Sequence, residues 1–240
     1  SKSLCPATSS QAASNWNNTS TYRFSNAPEL GYSAYNLPHM IKASAFYRFH
    51  IANNKNFTTT IGVIYQGRSG SPYSMLYSGD LNGDNGRGND LMFIPTDEQI
   101  DLMPFKAQGN YTEELQRQNL KAWLAKTPYL KDHRGEYFKR NADNLPFENH
   151  FDFHVAEKMS VKVGKQVHSL ELSLDILNVG NLLNKDWGRT YGTTYSNELI
   201  SPLTYDGGKF QFLSTPDYVI KYPQSYYSRW RGQLGLKYTF

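Results

Sequence analysis

The chain has 240 residues, enough for one large β-domain or two small ones. Its net charge of +4 is spread along the sequence, which argues against a nucleic-acid footprint; the single cysteine, Cys5, excludes an internal disulfide framework and a cysteine-rich metal site. Mean hydropathy is −0.63 and no run approaches the roughly 18 to 20 apolar residues of a spanning helix, which excludes a helical membrane protein but leaves a strand-built one open.

Residues 1–38 are rich in Ser, Asn and Thr, contain Pro6, Pro28 and Pro38, and show no sustained period, so they read as loop. Ser1–Gln11 lacks the apolar core of a signal peptide, so the expectation is that a leader has been removed or that the chain is the end of something longer. From His39 to Ala52 the pattern alternates: Ile41, Ala43, Ala45, Tyr47, Phe49 and Ile51 share a face opposite Lys42, Ser44, Phe46, Arg48 and His50. A polar turn at Asn53–Asn56 leads to a second alternating run, 57–67, with Phe57, Thr59, Ile61, Val63 and Tyr65 on the apolar side. Strand character then lapses over 68–149. That stretch holds the Asp/Asn/Gly segment 80–90 and a helix predicted over 113–126, with Leu115, Leu120, Trp123 and Leu124 near helical spacing, Thr112 as N-cap and Pro128 ending it.

Alternation resumes at His150. Phe151, Phe153, Val155, Met159, Val161 and Val163 share a face on which Glu157 is the one misfit. A tight turn at Gly164–Gln166 leads to His168, Leu170, Leu172, Leu174 and Ile176. A second long loop, 178–227, precedes the last run, where Trp230, Gly232, Leu234, Leu236, Tyr238 and Phe240 oppose Arg229, Arg231, Gln233, Gly235, Lys237 and Thr239. Short turns alternate with long loops, the arrangement of outer-membrane barrels with short periplasmic turns and long outer loops. Turning the last strand over would put Arg229, Arg231 and Lys237 into lipid at about 2 to 4 kcal/mol for each basic residue at the midplane, so the polar face is predicted to look into a wet lumen.

The expected fold is therefore all-β: about five transmembrane antiparallel strands, long extracellular loops and one short loop helix. Five strands cannot close a barrel, since open edges in lipid leave backbone groups unpaired. Residues 39–240 read as the C-terminal strands of a larger barrel whose remaining strands lie upstream or in another chain. Residues 1–38 read as the end of an earlier extracellular loop.

Several segments resemble one family. Leu177-Asn178-Val179-Gly180-Asn181-Leu182-Leu183-Asn184-Lys185 is similar to the N-L-F-[ND]-K box of TonB-dependent receptors. The ending Gly235-Leu236-Lys237-Tyr238-Thr239-Phe240 resembles their C-terminal assembly signal, carried by Gly235, Tyr238 and Phe240. Asp80-Leu81-Asn82-Gly83-Asp84, Asn89–Pro95, His133–Tyr137 and Asn184–Gly188 look like loops of the Oar-like and SusC/RagA-like branches. The resemblance implies a barrel of about 22 strands with an N-terminal plug. It also implies outer-membrane lipid around the barrel, a TonB complex reached through the plug, and a surface lipoprotein as a lid. Nutrient import across the outer membrane of a Gram-negative bacterium follows from it.

Asp80-x-Asn82-x-Asp84, with Asp90 further on, resembles the start of a calcium loop and makes Ca2+ the candidate cofactor; the departure is at position 12, which is Leu91. The other reading is a polar, glycine-rich turn. Among the loop tyrosines, which include Tyr73, Tyr77, Tyr218 and Tyr222, Tyr191 and Tyr195 are the candidate sugar or peptide contacts, whereas Tyr226, Tyr227 and Trp230 read as an interface girdle. Enzyme motifs are lacking: Gly67-Arg68-Ser69-Gly70 is not G-x-S-x-G, and the spacing Gly83-Gly86-Gly88 is not a dinucleotide fingerprint. The chain is thus expected not to be an enzyme. The alternative from another class is a secreted, calcium-stiffened carbohydrate-binding or adhesive β-domain, its apolar strand faces buried in a sandwich.

Overall fold

The computed structural model describes residues 19–25, 27–193 and 199–240, without the side chains of Asn53 and Leu199. In chain order these form β1 (Met40–Phe49), a 3-10 turn (Ile51–Asn53), β2 (Phe57–Arg68), β3 (Pro72–Ser78), α1 (Asp97–Leu102), α2 (Glu113–Lys126), α3 (Pro128–Asp132), β4 (Asp143–Asn144), β5 (Glu148–Val163), β6 (Gln166–Leu177), α4 (Val179–Leu183), β7 (Tyr191–Gly192), β8 (Leu199–Asp206), β9 (Lys209–Gln211), β10 (Tyr222–Pro223), α5 (Ser225–Ser228) and β11 (Arg231–Thr239). No described helix is long and apolar enough to cross a membrane. The chain divides into two compact units: residues 37–70, 146–191 and 223–240 make one, and residues 1–36, 71–145 and 192–222 the other.

The first unit is a five-stranded sheet in the order β1-β2-β5-β6-β11, antiparallel at every pairing. Because side chains alternate, register decides whether the apolar faces of separate strands coincide. They do. Tyr47, Ile61, Val155, Leu174 and Leu234 stand in one row across all five strands, and Ala45, Val63, Phe153, Ile176 and Gly232 in the next such row. The opposite face carries Phe46, Gly62, His154, Asp175 and Gln233 in one row and Lys42, Gln66 and His150 in another.

No described element covers the apolar face: Tyr47 is 70% exposed, Val161 52%, Leu172 54% and Leu234 74%. Glu157 sits on that face opposite Thr59 and Leu172. The Thr59 hydroxyl donates to Glu157 Oε2 at 2.5 Å, which gives the misfit carboxylate a partner on its own side of the sheet.

Both short connections close the same end of this sheet. The β5–β6 turn is Gly164-Lys165, and Gly164 takes a φ of 65°, open to glycine at no steric cost. The β1–β2 turn is held by Asn54, whose carbonyl accepts from Phe57 N–H at 3.0 Å and whose Oδ1 accepts from Asn56 N–H at 3.0 Å.

The second unit corrects the expectation that 68–149 and 178–227 are loops with a single helix. It holds its own core, in which Met75, Leu76, Met92, Ile94, Leu120, Trp123, Leu203 and Phe212 are all at or below 1% exposure. A sheet ordered β4-β3-β8-β9 runs through it, with β3 and β8 parallel. α2 occupies the predicted residues, and Thr112 caps it by accepting from Leu115 N–H at 3.1 Å. Its buried stripe differs from the predicted one: Leu115 is 38% exposed, while Gln116 and Asn119 are buried. Gln116 Nε2 donates to Lys106 O at 2.8 Å and Tyr111 O at 3.0 Å, and its Oε1 accepts from Phe212 N–H at 2.9 Å, so the buried amide is satisfied on both sides. Pro128 opens α3 at its first turn, where its missing N–H costs nothing, as well as ending α2.

Candidate functional site

The polar face of the five-stranded sheet has more internal pairing than its sequence shows. Arg68 Nε donates to Glu148 Oε2 at 2.8 Å where β2 and β5 meet in register, and the Glu148 side chain is only 3% exposed. His150 Nε2 lies 3.7 Å from the same carboxylate oxygen and 3.3 Å from Thr190 Oγ1. Lower on the face, His154 Nδ1 is 2.6 Å from Asp175 Oδ1, and the Phe46 ring stands edge-on to His154 at 6.2 Å. Phe46 lies across Gly62, where a Cβ would come within 2.3 Å of the ring. Alternation from His150 puts Asp152 and His154 opposite Phe151 and Phe153, and alternation from His168 puts Asp175 opposite Leu174 and Ile176, whereas Arg68 and Glu148 lie just outside the alternating runs.

The box after β6 is organised by Asn178. Its φ of 54° is left-handed. Its N–H donates to Asp152 Oδ1 at 2.7 Å, and its Nδ2 donates to Gly188 O at 2.8 Å and Ser228 O at 2.9 Å. One buried asparagine therefore joins β5 through its backbone N–H, and the loop after α4 and the approach to β11 through its side-chain amide. Asn181 Nδ2 reaches Lys185 O and Trp187 O, both at 3.1 Å, and closes the loop below.

Next to this loop lies a cavity of about 490 Å³ walled by Phe147, Phe151, Trp187, Arg189 and Tyr191. Phe151 belongs to the apolar face, in register with Tyr65, so the cavity is bounded by that face and not by the polar one. Arg189 is already paired with Asp186. The structure thus gives Tyr191 an aromatic surrounding; Tyr195 lies outside the described residues. Tyr73 and Tyr77 are 3% and 2% exposed and belong to the core, which removes them as ligand contacts. Burial, then the neighbouring Asp143 carboxylate, pushes the Tyr73 phenol far up, and burial does the same to Tyr77; both remain neutral donors, to Asp143 and to Phe93 O respectively.

The residues of the terminal signal do separate things. A Cβ on Gly235 would meet Ser173 Oγ at 2.5 Å on the polar face. Tyr238 OH lies 2.7 Å from His168 Nδ1, and its ring stacks on Phe240 at 5.8 Å; Tyr238 is 58% and Phe240 80% exposed.

The Asp80–Asp90 segment is a tight loop in which carboxylates hold backbone N–H groups. Asp80 accepts from Gly83 N–H at 2.7 Å and Asn85 N–H at 3.0 Å. Asn82 Oδ1 accepts from Asp84 N–H at 2.9 Å, and its Nδ2 donates to Arg23 O. Asp84 Oδ1 accepts from Gly86 N–H at 2.8 Å, and its Oδ2 accepts from both Ser25 N–H and Ser25 Oγ–H at 2.7 Å. Partial burial opposes ionisation of Asp84, but the Ser25, Gly86 and Asn82 hydrogen bonds prevail and hold its carboxyl below the usual carboxylate range. Asp90 Oδ2 accepts from Leu81 N–H at 2.5 Å, yet burial pushes Asp90 up, helped by the nearby Asp80 and Asp84 charges. Among the described residues, no three His, Cys, Asp or Glu side chains gather as a metal-binding group; the four oxygen-bearing residues expected to converge share the loop without forming one carboxylate cluster. Comparison of this chain with protein-family models, with curated proteins and with solved structures finds no match.

Proposed function

We propose that this chain is the C-terminal barrel portion of a TonB-dependent outer-membrane transporter importing an oligosaccharide, peptide or chelate. The observation that carries this reading is the five-strand register: it aligns one apolar face that nothing described covers and backs it with a charged face. Water penalises such a surface, whereas hydrocarbon favours it. The strands have 10, 12, 16, 12 and 9 residues, against about 9 to 11 for a tilted membrane strand. Both short turns lie at one end, as periplasmic turns do in such barrels.

The outer edges of β1 and β11 would be closed by further strands, upstream or in another chain. A plug inside that barrel would respond to cargo bound at the outer vestibule and be moved by the TonB complex; a surface lipoprotein would act as lid. The long connections would supply the vestibule. The secreted sandwich requires Val161, Leu172 and Leu234 to pack against a second sheet, and their exposure counts against it. Fractionation of the expressing cell tests the proposal: the protein should sediment with the outer membrane and need detergent for release. Recovery in the soluble fraction, stable without detergent, would overturn it.

A further inference from the structure

The cavity of about 490 Å³ beside the 185–189 loop lies on the apolar side of the five-stranded sheet, at the end away from the two short turns. Its size is that of a small-ligand site. Phe151 precedes Gly164 by 13 residues. At about 3.3 Å per residue and a tilt of about 40°, that places Phe151 roughly 30 Å above the β5–β6 turn, against an outward apolar band about 25 Å tall in membrane barrels. The cavity therefore falls at the headgroup level of a membrane around this sheet, and the apolar rows lead away from it towards the turns.

Its walls combine exposed rings with unused polar groups. Phe147, Phe151 and Trp187 are 41%, 43% and 57% exposed, and Tyr191 completes the aromatic side. Gly67 lets these rings approach: a Cβ there would come within 2.4 Å of the Tyr65 hydroxyl and 3.0 Å of the Phe147 ring. Tyr65 packs on Phe151 at 4.7 Å and donates to Asn149 Oδ1 at 2.8 Å, which leaves Asn149 Nδ2 as a donor with no acceptor among the described residues. Arg189 Nε donates to Lys185 O at 3.2 Å and its Nη2 to Asp186, while Nη1 has no acceptor among the described residues. The Asp186 side chain is 57% exposed and adds an acceptor. Lys185 and Arg189 against Asp186 leave the 185–189 loop net positive. Aromatic faces suit the C–H face of a sugar ring, a guanidinium edge and an amide suit phosphate oxygens, and a carboxylate suits hydroxyls.

We propose that this cavity binds the headgroup of a phosphorylated glycolipid of the surrounding leaflet. Its sugar lies against Trp187 and Tyr191, its phosphate meets Arg189 and Asn149, and its acyl chains run along Phe151 and the apolar rows below. The mixed donor and acceptor set matches a sugar phosphate, and the uncovered apolar face continuing from the cavity matches acyl chains. The inference rests on the lipid-facing reading of the sheet but needs no cargo, plug or TonB complex.

The test is titration of the purified full-length protein in detergent with lipid A, a phosphorylated and acylated glucosamine disaccharide, read by native mass spectrometry. One lipid A should bind per protein. Trp187→Ala and Arg189→Gln should each weaken binding at least tenfold, whereas Lys165→Gln, in the β5–β6 turn at the other end of the sheet, should leave it unaltered. Neither phosphatidylethanolamine nor glucosamine 6-phosphate, in excess, should displace it. Displacement by phosphatidylethanolamine, or binding that both cavity variants leave unchanged, overturns the site, and displacement by glucosamine 6-phosphate, which has no acyl chain, overturns the lipid assignment. If a cavity variant does not fold, competition by the two probes on the wild-type protein decides. Recovery in the outer membrane with no lipid A bound removes this site alone, whereas recovery as a soluble protein removes the barrel reading with it.

Discussion

Replacing Leu234 by Arg separates a lipid-facing sheet from a water-facing one, because the two environments give effects of different size. Leu234 is 74% exposed and lies one residue from the middle of the nine-residue β11, in a row with Leu174, Val155, Ile61 and Tyr47. None of these neighbours offers a carboxylate to the new guanidinium. If water meets this face, exchanging an exposed Leu for Arg changes stability by about 0.5 kcal/mol or less. If hydrocarbon meets it, a basic side chain near the midplane costs about 2 to 4 kcal/mol, roughly thirtyfold or more in the folding equilibrium. The assay is urea unfolding of the protein refolded in phospholipid vesicles, with Gln233→Arg as companion. Gln233 points to the opposite face, in the row of Asp175 and His154, and its replacement should cost little. Equal, small effects of the two variants would refute the lipid-facing assignment.

Trp123 is 1% exposed and donates from Nε1 to Tyr218 O at 3.2 Å; Trp123→Ala should destabilise the second unit by about 3 to 5 kcal/mol, seen as an early thermal transition while the sheet's unfolding is unchanged. Gly188 has a φ of 59°, and a Cβ there would fall 1.8 Å from Asn178 Oδ1; Gly188→Ala should cost about 1 to 3 kcal/mol, and a variant as stable as wild type would contradict the packing. Asp84 is held below the ordinary carboxylate range, so its contribution is complete above the unfolded value, near pH 4, and is lost as pH falls through the lower folded one. Ser25→Ala deletes the hydroxyl donor and should move the Asp84 titration upward by NMR; an unmoved titration would discount that hydrogen bond.

The strands of the first unit are legible in the sequence because one face is apolar and the other polar, so the period of two survives in the residues themselves. α2 is legible because Thr112 and Pro128 bracket it. The core of the second unit is not. Pro72–Tyr77 is buried on both sides, which erases alternation and leaves a short apolar run that fits loop, strand or helix alike. Its strand partner is also remote: Ser74 pairs with Leu199. The same burial turns Tyr73 and Tyr77 from apparent ligand contacts into core. In the 80–90 loop, spacing marks Asp80, Asn82 and Asp84, but not Ser25, which lies 64 residues before Asn89 and bonds both Asn89 Nδ2 and Asp84 Oδ2.

Asn178 and its neighbours also bear on how this chain tolerates change. The segment between Thr190 and Ser228 is drawn shut at its base: Thr190 N–H donates to Ser228 Oγ at 3.1 Å across 38 residues, and Gln224 N–H donates to Thr190 O at 2.8 Å. The earlier segment is cinched likewise, Leu145 N–H donating to Ser71 O at 2.9 Å. A purse closed at the neck can change its contents without moving the cloth around it. Doubling the length of a flexible connection adds only about 0.6 kcal/mol of closure entropy, and because the two segments share the β3–β8 pairing they can be exchanged at these necks only together.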